Sequence, residues 1–548
     1  MDMRRINLGL LALLLVAPNA GCQKSESAAA GSSGSQGAET VARIHWLGKQ
    51  RLARETNAAY FMGIWNLPES SRLEGQTLDK LAVAPWRFWK GEAAVTNAPR
   101  ALLRPLLEDL VREESYFEVS HARSQPGEFA LAIRLTNESA GLWQTNLATA
   151  LESLTGLRVS PPSAGRVGWL LKKHDPPNLI ELARVGEWTL LAAGQNTNAL
   201  LRDVMARIDR DGAPFGSRTT NYWLEANLDL RRVSEALTLN WELPKAWPQI
   251  SLAVIGDGEN VRSRGELTFS EPLSLELEPW NIPTNLVRDP LVSFSAIRGI
   301  RPWLASLDFW KEFTSGLVPN QFFTWAQQGA PMQTYLAVPV AESSNHLRSA
   351  TPVILKRGND WLATNGVGRL EQLSGRSGVV WGGGPFVAPR LESVSAPEGD
   401  FIFAGLWDRL PSSNAIPPEL LEGVVGHPDL VYYDWEITQT RLDAWIYLGQ
   451  VFRLVSQKAQ MPKASASMAW FTAAGSKMGN SVTVVTGSGS QRLSFVRKSS
   501  AGLTALELHL LTDWLESPQF PRGLHTTLTP PSFQLRRPVA PSMPPTKR

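Results

Sequence analysis

Asp434 and Glu436 are the two side chains in this 548-residue chain whose spacing most invites a catalytic reading. They stand in Leu430–Ile437 (LVYYDWEI). As a strand, positions 430, 432, 434 and 436 share a face, which sets the two acids roughly 7 Å apart. Such a pair suits glycoside hydrolysis, where a general acid and a base flank the scissile bond. The plainer reading makes them the solvent side of a strand whose Tyr433, Trp435 and Ile437 face the core. His509 and Asp513, four apart on the last helical stretch, invite the same comparison, and a solvated polar pair is the simpler account of them.

Other reagents are sparse. The seven histidines, at 45, 121, 174, 346, 427, 509 and 525, never come closer than 16 residues, so no helical pair of metal ligands exists. Cys22 is the only cysteine. That removes disulfides, cysteine-rich zinc sites and any other thiol nucleophile. There is no GxSxG elbow, no SxxK and no GxGxxG opening a helix, and Trp381–Pro385 (WGGGP) lacks the Lys-Ser/Thr of a phosphate loop. A Ser–His–Asp site drawn from distant loops stays open, because triads are defined by geometry. The expectation is a non-enzymatic protein with no cofactor and no bound metal.

The elements that would position these groups alternate between strand and helix patterns from about 41 to 516. Phe129, Leu131, Ile133 and Leu135 alternate with smaller or polar residues, as do Leu273, Leu275 and Leu277, the two-residue period of half-buried strands. Leu201, Val204, Met205 and Ile208 line one helix face after Asn196/Thr197 and before Asp211-Gly212. Trp143, Leu147, Leu151 and Leu154 form a second stripe, and Leu503, Leu506, Leu510 and Trp514 a third. The fold class expected is α+β, with antiparallel sheet covered by packed amphipathic helices. Phe61–Ser70 (FMGIWNLPES) parallels Phe403–Ser413 (FAGLWDRLPSS) with one insertion, and looser strand-into-helix units occur at Trp223–Leu237 and Leu291–Leu304. Duplication into two α+β halves follows as the preferred reading, with residues 41–285 and 286–517 as N- and C-terminal domains.

The net charge of +3 conceals a division. Residues 518–548 form a Pro-rich tail with Arg522, Arg536, Arg537, Lys547 and Arg548 and no acid, and residues 1–21 carry +1, which leaves the body at −3. A mildly acidic body gives no reason to expect a nucleic-acid partner. The tail reads as solvated, with contact to an anionic surface as its functional alternative. Of the aromatic residues, Trp is over-used: 21 against 7 Tyr, spread from Trp46 to Trp514. Buried anchors explain that spread better than a sugar-stacking platform, with Trp86, Phe88 and Trp89 as the one candidate exposed patch.

The first residues set an address. Arg4 and Arg5 precede an apolar run from Ile6 to Ala17, too short for a bilayer that needs roughly 20 residues, so residues 1–21 read as a signal peptide. Ala20-Gly21-Cys22 resembles the lipobox of bacterial lipoproteins, with Asn19 where that pattern ordinarily has Leu or another apolar residue. The resemblance covers only this region and implies a lipid on Cys22. Residues 22–40, rich in Ser, Gly and Ala, then form a flexible tether. The function expected is a lipid-anchored cell-envelope protein, facing periplasm or exterior, that binds a protein or polysaccharide partner. The alternative is an exported carboxylate-dependent hydrolase acting on polysaccharide or cell-wall material.

Overall fold

The computed structural model describes residues 38–521 except 123–124, 163–166, 175–176, 195–197, 216–221, 238–246, 308–316, 329–332, 366–367, 383–387, 408–413 and 456–464. Cys22, the signal peptide, nearly all of the tether and the tail beyond Pro521 lie outside the described residues.

Nineteen strands make one antiparallel sheet. The first nine are β1 (Glu39–Trp46), β2 (Ser115–Ala122), β3 (Gln125–Arg134), β4 (Gly168–His174), β5 (Pro177–Val185), β6 (Trp188–Gly194), β7 (Leu224–Leu228), β8 (Gln249–Asp257) and β9 (Asn260–Thr268). They are ordered 4-5-6-3-2-1-7-8-9 across the sheet. A connector, residues 269–290, leads to β10 (Leu291–Arg298), β11 (Gln321–Gln327), β12 (Thr334–Pro339), β13 (Arg369–Gln372), β14 (Gly378–Gly382), β15 (Arg390–Ala396), β16 (Gly399–Gly405), β17 (Leu430–Ile437), β18 (Asn480–Gly487) and β19 (Arg492–Ser499). Their order is 13-14-15-16-12-11-10-17-18-19. Remove β13 and the two orders are the same, and β9 pairs with β19 to join the halves edge to edge.

The helices repeat as well. α5 (Asn137–Thr155), α6 (Ala199–Asp211) and α7 (Leu230–Ala236) follow β3, β6 and β7. Their counterparts α9 (Ser343–Asn365), α10 (Pro418–Val425) and α11 (Thr438–Val455) follow β12, β16 and β17. Added helices in both halves break the symmetry. The chain between β1 and β2 carries α1 (Lys49–Leu52), α2 (Ala59–Trp65), α3 (Pro68–Lys90) and α4 (Arg100–Arg112), where the second half has only the one-and-a-half-turn α8 (Arg301–Ser306) among its described residues. The second half adds α12 (Ala466–Gly475) and α13 (Ala505–Glu516). Gly48 opens the long insertion with φ 89°, and a Cβ there would lie within 3 Å of the backbone of Arg112–Glu114 where the insertion ends. Glycine thus lets the two ends of the insertion meet.

The two halves share one strand order, yet the residues that first suggested a repeat do not correspond in structure. Phe61 and Trp65 lie in helix α2, whereas Phe403 and Gly405 close strand β16. Ala58, Phe61, Met62 and Trp65 follow a helical period and pack on Trp46 and Trp223, so tertiary contact decided a segment that either structure accommodates. Residues 273–277 do not form a strand but belong to the connector. β3 is buried on both faces, since Ala130 and Ala132 are small enough to seat α6 closely behind it.

The capping chemistry of α5 and α6 matches their stripes. Thr136 Oγ1 accepts from the backbone of Ser139, and Gly156 and Gly212 end the two helices in the left-handed conformation. On α13 the faces are reversed. Its buried side carries His509 and Asp513, both at most 6% exposed, while Leu506 is 38% exposed. His509 is stacked between Trp445 and Phe471, so that pair is not solvated. Trp86 is buried within α3 and Phe88 and Trp89 are half-buried, which removes the aromatic surface patch. Trp143, Trp169, Trp188, Trp223, Trp325 and Trp470 are likewise buried, as anchors in the core.

Candidate functional site

Elements from both halves meet over the first half of the sheet and line an open apolar pocket of about 350 Å³. Its floor is Ile44, Phe117 and Leu131 on β1–β3. Leu73, Leu78 and Leu81 of α3 and Leu107 and Val111 of α4 form one wall. The other comes from the second half: Trp470 of α12, and Leu508, Leu511, Trp514 and Leu515 of α13. Phe520 adds to the lining from the turn beyond α13. Hydrogen bonds fasten the walls across the halves, from Trp470 Nε1 to Ser70 Oγ (2.8 Å), Tyr60 OH to the Lys477 carbonyl (2.6 Å) and Lys80 Nζ to the Leu515 carbonyl (2.9 Å).

Polar side chains in the lining are largely engaged by the protein itself. Thr77 donates to the Leu73 carbonyl (2.8 Å), Thr512 to that of Leu508 (2.9 Å) and Ser70 to that of Ile64 (2.8 Å). Glu74 accepts from Trp65 Nε1 (2.7 Å) and Lys49 Nζ (3.0 Å), and that ammonium lies 5.0 Å from the Trp65 ring centre. Hydroxyls turned onto backbone carbonyls, those of Thr77 and Thr512 on their own helices, leave mostly carbon to face the pocket. An apolar cavity of roughly 150 Å³ already stays dry and takes up benzene.

The acids singled out by spacing sit elsewhere. Cross-strand pairing runs from Trp46 on the cavity floor through Leu224, Val254, Ser263, Arg497 and Thr483 to Asp434. Six strand spacings place Asp434 roughly 29 Å from that floor. Asp434 and Glu436 do not face solvent: they are 8% and 5% exposed, on the sheet face covered by α11 and α13. Asp434 accepts from Ser295 Oγ (2.6 Å), and Glu436 from the backbone of Ala505 (2.7 Å) and from Thr438 Oγ1 (3.1 Å). Glu436 thus caps the N-terminus of α13, the helix that walls the cavity. Burial pushes both carboxyls above their ordinary range, Asp434 adding to the effect on Glu436, while Ser295 and the Ala505 N–H oppose it. These contacts give the two acids structural partners.

A raised folded pKa contributes stability that is complete below the ordinary value of 4.5 and is lost as pH rises through the raised one. Glu436→Gln keeps the acceptor for Ala505 and places its amide beside the buried Ser481 hydroxyl on the neighbouring strand. The variant is expected to be more stable than the parent by about 1 kcal/mol at pH 7 and no more stable at pH 4. Urea unfolding at the two pH values checks this, and an equal gain at both would contradict it.

On the opposite face of the first half, two buried carboxylates are held low. Glu114 pairs with His45 (3.0 Å) and Arg51, and Glu118 with Arg207 and Arg43 while accepting from Tyr116 OH (2.7 Å). Burial alone would raise both; for Glu114 the His45 and Arg51 contacts outweigh it, for Glu118 the Arg207 and Arg43 charges. Among the described residues no three His, Cys, Asp or Glu side chains are grouped to hold a metal, and no helix is long and apolar enough to cross a membrane.

Comparison with protein-family models, characterised proteins and solved structures returned no match. The cavity was not foreseen from sequence. Its lining spans positions 44 to 520 as ordinary Leu, Trp and Phe; Leu131, Leu503 and Trp514 had stood out only as parts of strand and helix stripes, and Phe61–Ser70 only as part of a repeat. No short motif marks a site built that way.

Proposed function

We propose that the protein is an exported, lipid-anchored binding protein of the cell envelope whose inter-half cavity holds a hydrocarbon-chain ligand. The observation that carries this reading is the lining itself: large, apolar, contributed by both halves, with the hydroxyls of Ser70, Thr77 and Thr512 turned onto protein carbonyls. A polysaccharide needs hydrogen-bonding groups along its length, and these walls offer it few. A chain of roughly a dozen methylene-sized groups fills the volume if each takes about the 30 Å³ of a water. Each buried methylene contributes about 0.8 kcal/mol, which sums to roughly 10 kcal/mol for such a chain before the costs of association. In this reading the bound partner is a hydrocarbon chain, where the sequence led to the expectation of a protein or polysaccharide. The hydrolase reading loses its support where Asp434 and Glu436 hold Ser295, Thr438 and the start of α13.

Titration with cis-parinaric acid, which fluoresces in apolar surroundings, tests the proposal. Saturable binding is expected, weakened at least tenfold by Leu511→Trp, whose indole would fill the cavity from a half-exposed wall position while leaving the unfolding midpoint nearly unchanged. Absence of saturable binding for chains of eight to eighteen carbons, each tried in turn, would sink it.

A further inference from the structure

The pocket is not uniform along its length. Its inner part is formed by Leu81, Leu107, Phe117, Leu131 and Phe520, all buried and all carbon. Seven residues before Leu81 on α3, about 10 Å along the helix axis, stands Glu74, the one charged side chain among the described residues that line the pocket. Solvent reaches this end, where Glu74, Trp46, Trp65 and Ser115 are half-buried. The corner is compact: Trp46 and Ser115 are cross-strand partners, and the rings of Trp46 and Trp65 lie 5.9 Å apart.

The hydrogen bonds at this corner leave a remainder. Lys49 Nζ (3.0 Å) and Trp65 Nε1 (2.7 Å) both donate to Glu74 Oε2. Among the described residues neither Glu74 Oε1 nor Ser115 Oγ has a hydrogen-bond partner. The ammonium of Lys49 balances the charge of Glu74, so the corner offers an unused acceptor and an unused hydroxyl while its charges sum to zero.

We propose that the ligand is a long-chain alcohol, its hydroxyl bound at Glu74 and Ser115 and its chain running past Leu78 toward Phe520. The proposal rests on the reading of the pocket as a hydrocarbon site. A carboxylate head would face Glu74 Oε1 and an ammonium head would face Lys49, so either charge meets its like within one corner. A hydroxyl meets no such opposition: it donates to the carboxylate and accepts from Ser115. A hydrogen bond to an ionised group favours binding by about tenfold or more. The direction of the chain follows from the other end, where a buried head would find no partner for the bonds it made to water.

The test displaces cis-parinaric acid from the full chain at pH 7.5 with ten-carbon competitors that differ in the head: decan-1-ol, decyl methyl ether, decanoate and decylammonium. The ether accepts hydrogen bonds, cannot donate one and adds apolar surface, so partition alone would favour it over the alcohol. Decan-1-ol is expected to bind about tenfold more tightly than the ether and than either ion, after correction for the affinity of the fluorophore. In Glu74→Gln, Lys49 is left unbalanced, so decanoate should gain about tenfold and decylammonium should gain nothing. Ser115→Ala should reduce the advantage of the alcohol over the ether without moving the unfolding midpoint. The four competitors in the parent chain decide the matter whatever the variants do to folding. Equal binding of alcohol and ether there, or tighter binding of either ion, would overturn the assignment of the head while leaving the hydrocarbon reading intact. An unchanged order of the four in a folded Glu74→Gln variant would overturn it as well. Failure of the fluorophore to bind, with no binding of any competitor, would remove both readings.

Discussion

Alanine at position 118 is expected to destabilise the protein by about 3 kcal/mol at neutral pH. Glu118 is 2% exposed and holds Arg207, Arg43, Tyr116 and Thr40 together on the face of the sheet opposite the cavity. Its removal leaves the Arg207 guanidinium, itself only 21% exposed, beside the buried Tyr116 hydroxyl with no carboxylate to balance it. The effect must depend on pH in a defined sense. Because Glu118 is held below its ordinary range, its stabilisation is present above about 4.5 and is lost as pH falls through the lower folded value. Glu118→Gln keeps the shape without the charge. Its deficit relative to the parent should shrink as the pH is lowered from 7 to 3, measured as a shift in urea midpoint at unchanged slope. A deficit constant with pH would mean that packing, not charge, makes this residue matter.

Arg298 should show a loss of similar size and no such pH dependence. Its guanidinium is 3% exposed and donates to the carbonyls of Leu430 (2.8 Å), Glu278 (2.7 Å) and Pro428 (2.6 Å), and it lies 4.5 Å from the Trp280 ring centre. The acceptors come from the connector and from the turn into β17, so one side chain fastens the passage between the halves to the second core. Arg298→Met keeps most of the stem and deprives three carbonyls of their donor, at a cost of about 3 kcal/mol. Thermal unfolding at pH 5 and pH 8 should give the same difference. Lysine at this position should recover only part of the loss, since a point charge cannot serve three diverging carbonyls as the planar fork does.

Much of the architecture was readable because local signals and tertiary needs agreed. The stripe from Leu201 to Ile208 and its Gly212 stop belong to one helix, and the α+β class follows from such segments alternating with strands. Legibility failed where packing chose between acceptable alternatives. FMGIW fits a strand or a helix, and contact with Trp46 and Trp223 made it a helix. Alternating Leu273, Leu275 and Leu277 found no neighbouring strand and remained connector. Asp434 and Glu436 were placed on the correct strand and the correct shared face, but α11 and α13 cover that face, and nothing local to β17 announces them. The repeat itself survives as strand order, long after side chains at matching positions diverged. At the register where Ile44 meets Phe117 and Ala226, the second half has Ser295, Thr324 and Asp434. One copy of the face became greasy and the other polar.

The seam between β9 and β19 carries an implication about ancestry. A half-length chain ending after β9 would present that strand's unpaired N–H and C=O groups to solvent, an invitation to association. Its most available partner would be the same edge of another molecule, because two antiparallel copies meet there by a two-fold rotation. The modern polypeptide places two such units in tandem and makes their encounter intramolecular, independent of concentration. What remains outermost is guarded differently: β4 carries Lys172 and Lys173, and β13 carries Arg369 and Glu371. Tandem joining thus makes an otherwise sticky margin an internal joint between the two units.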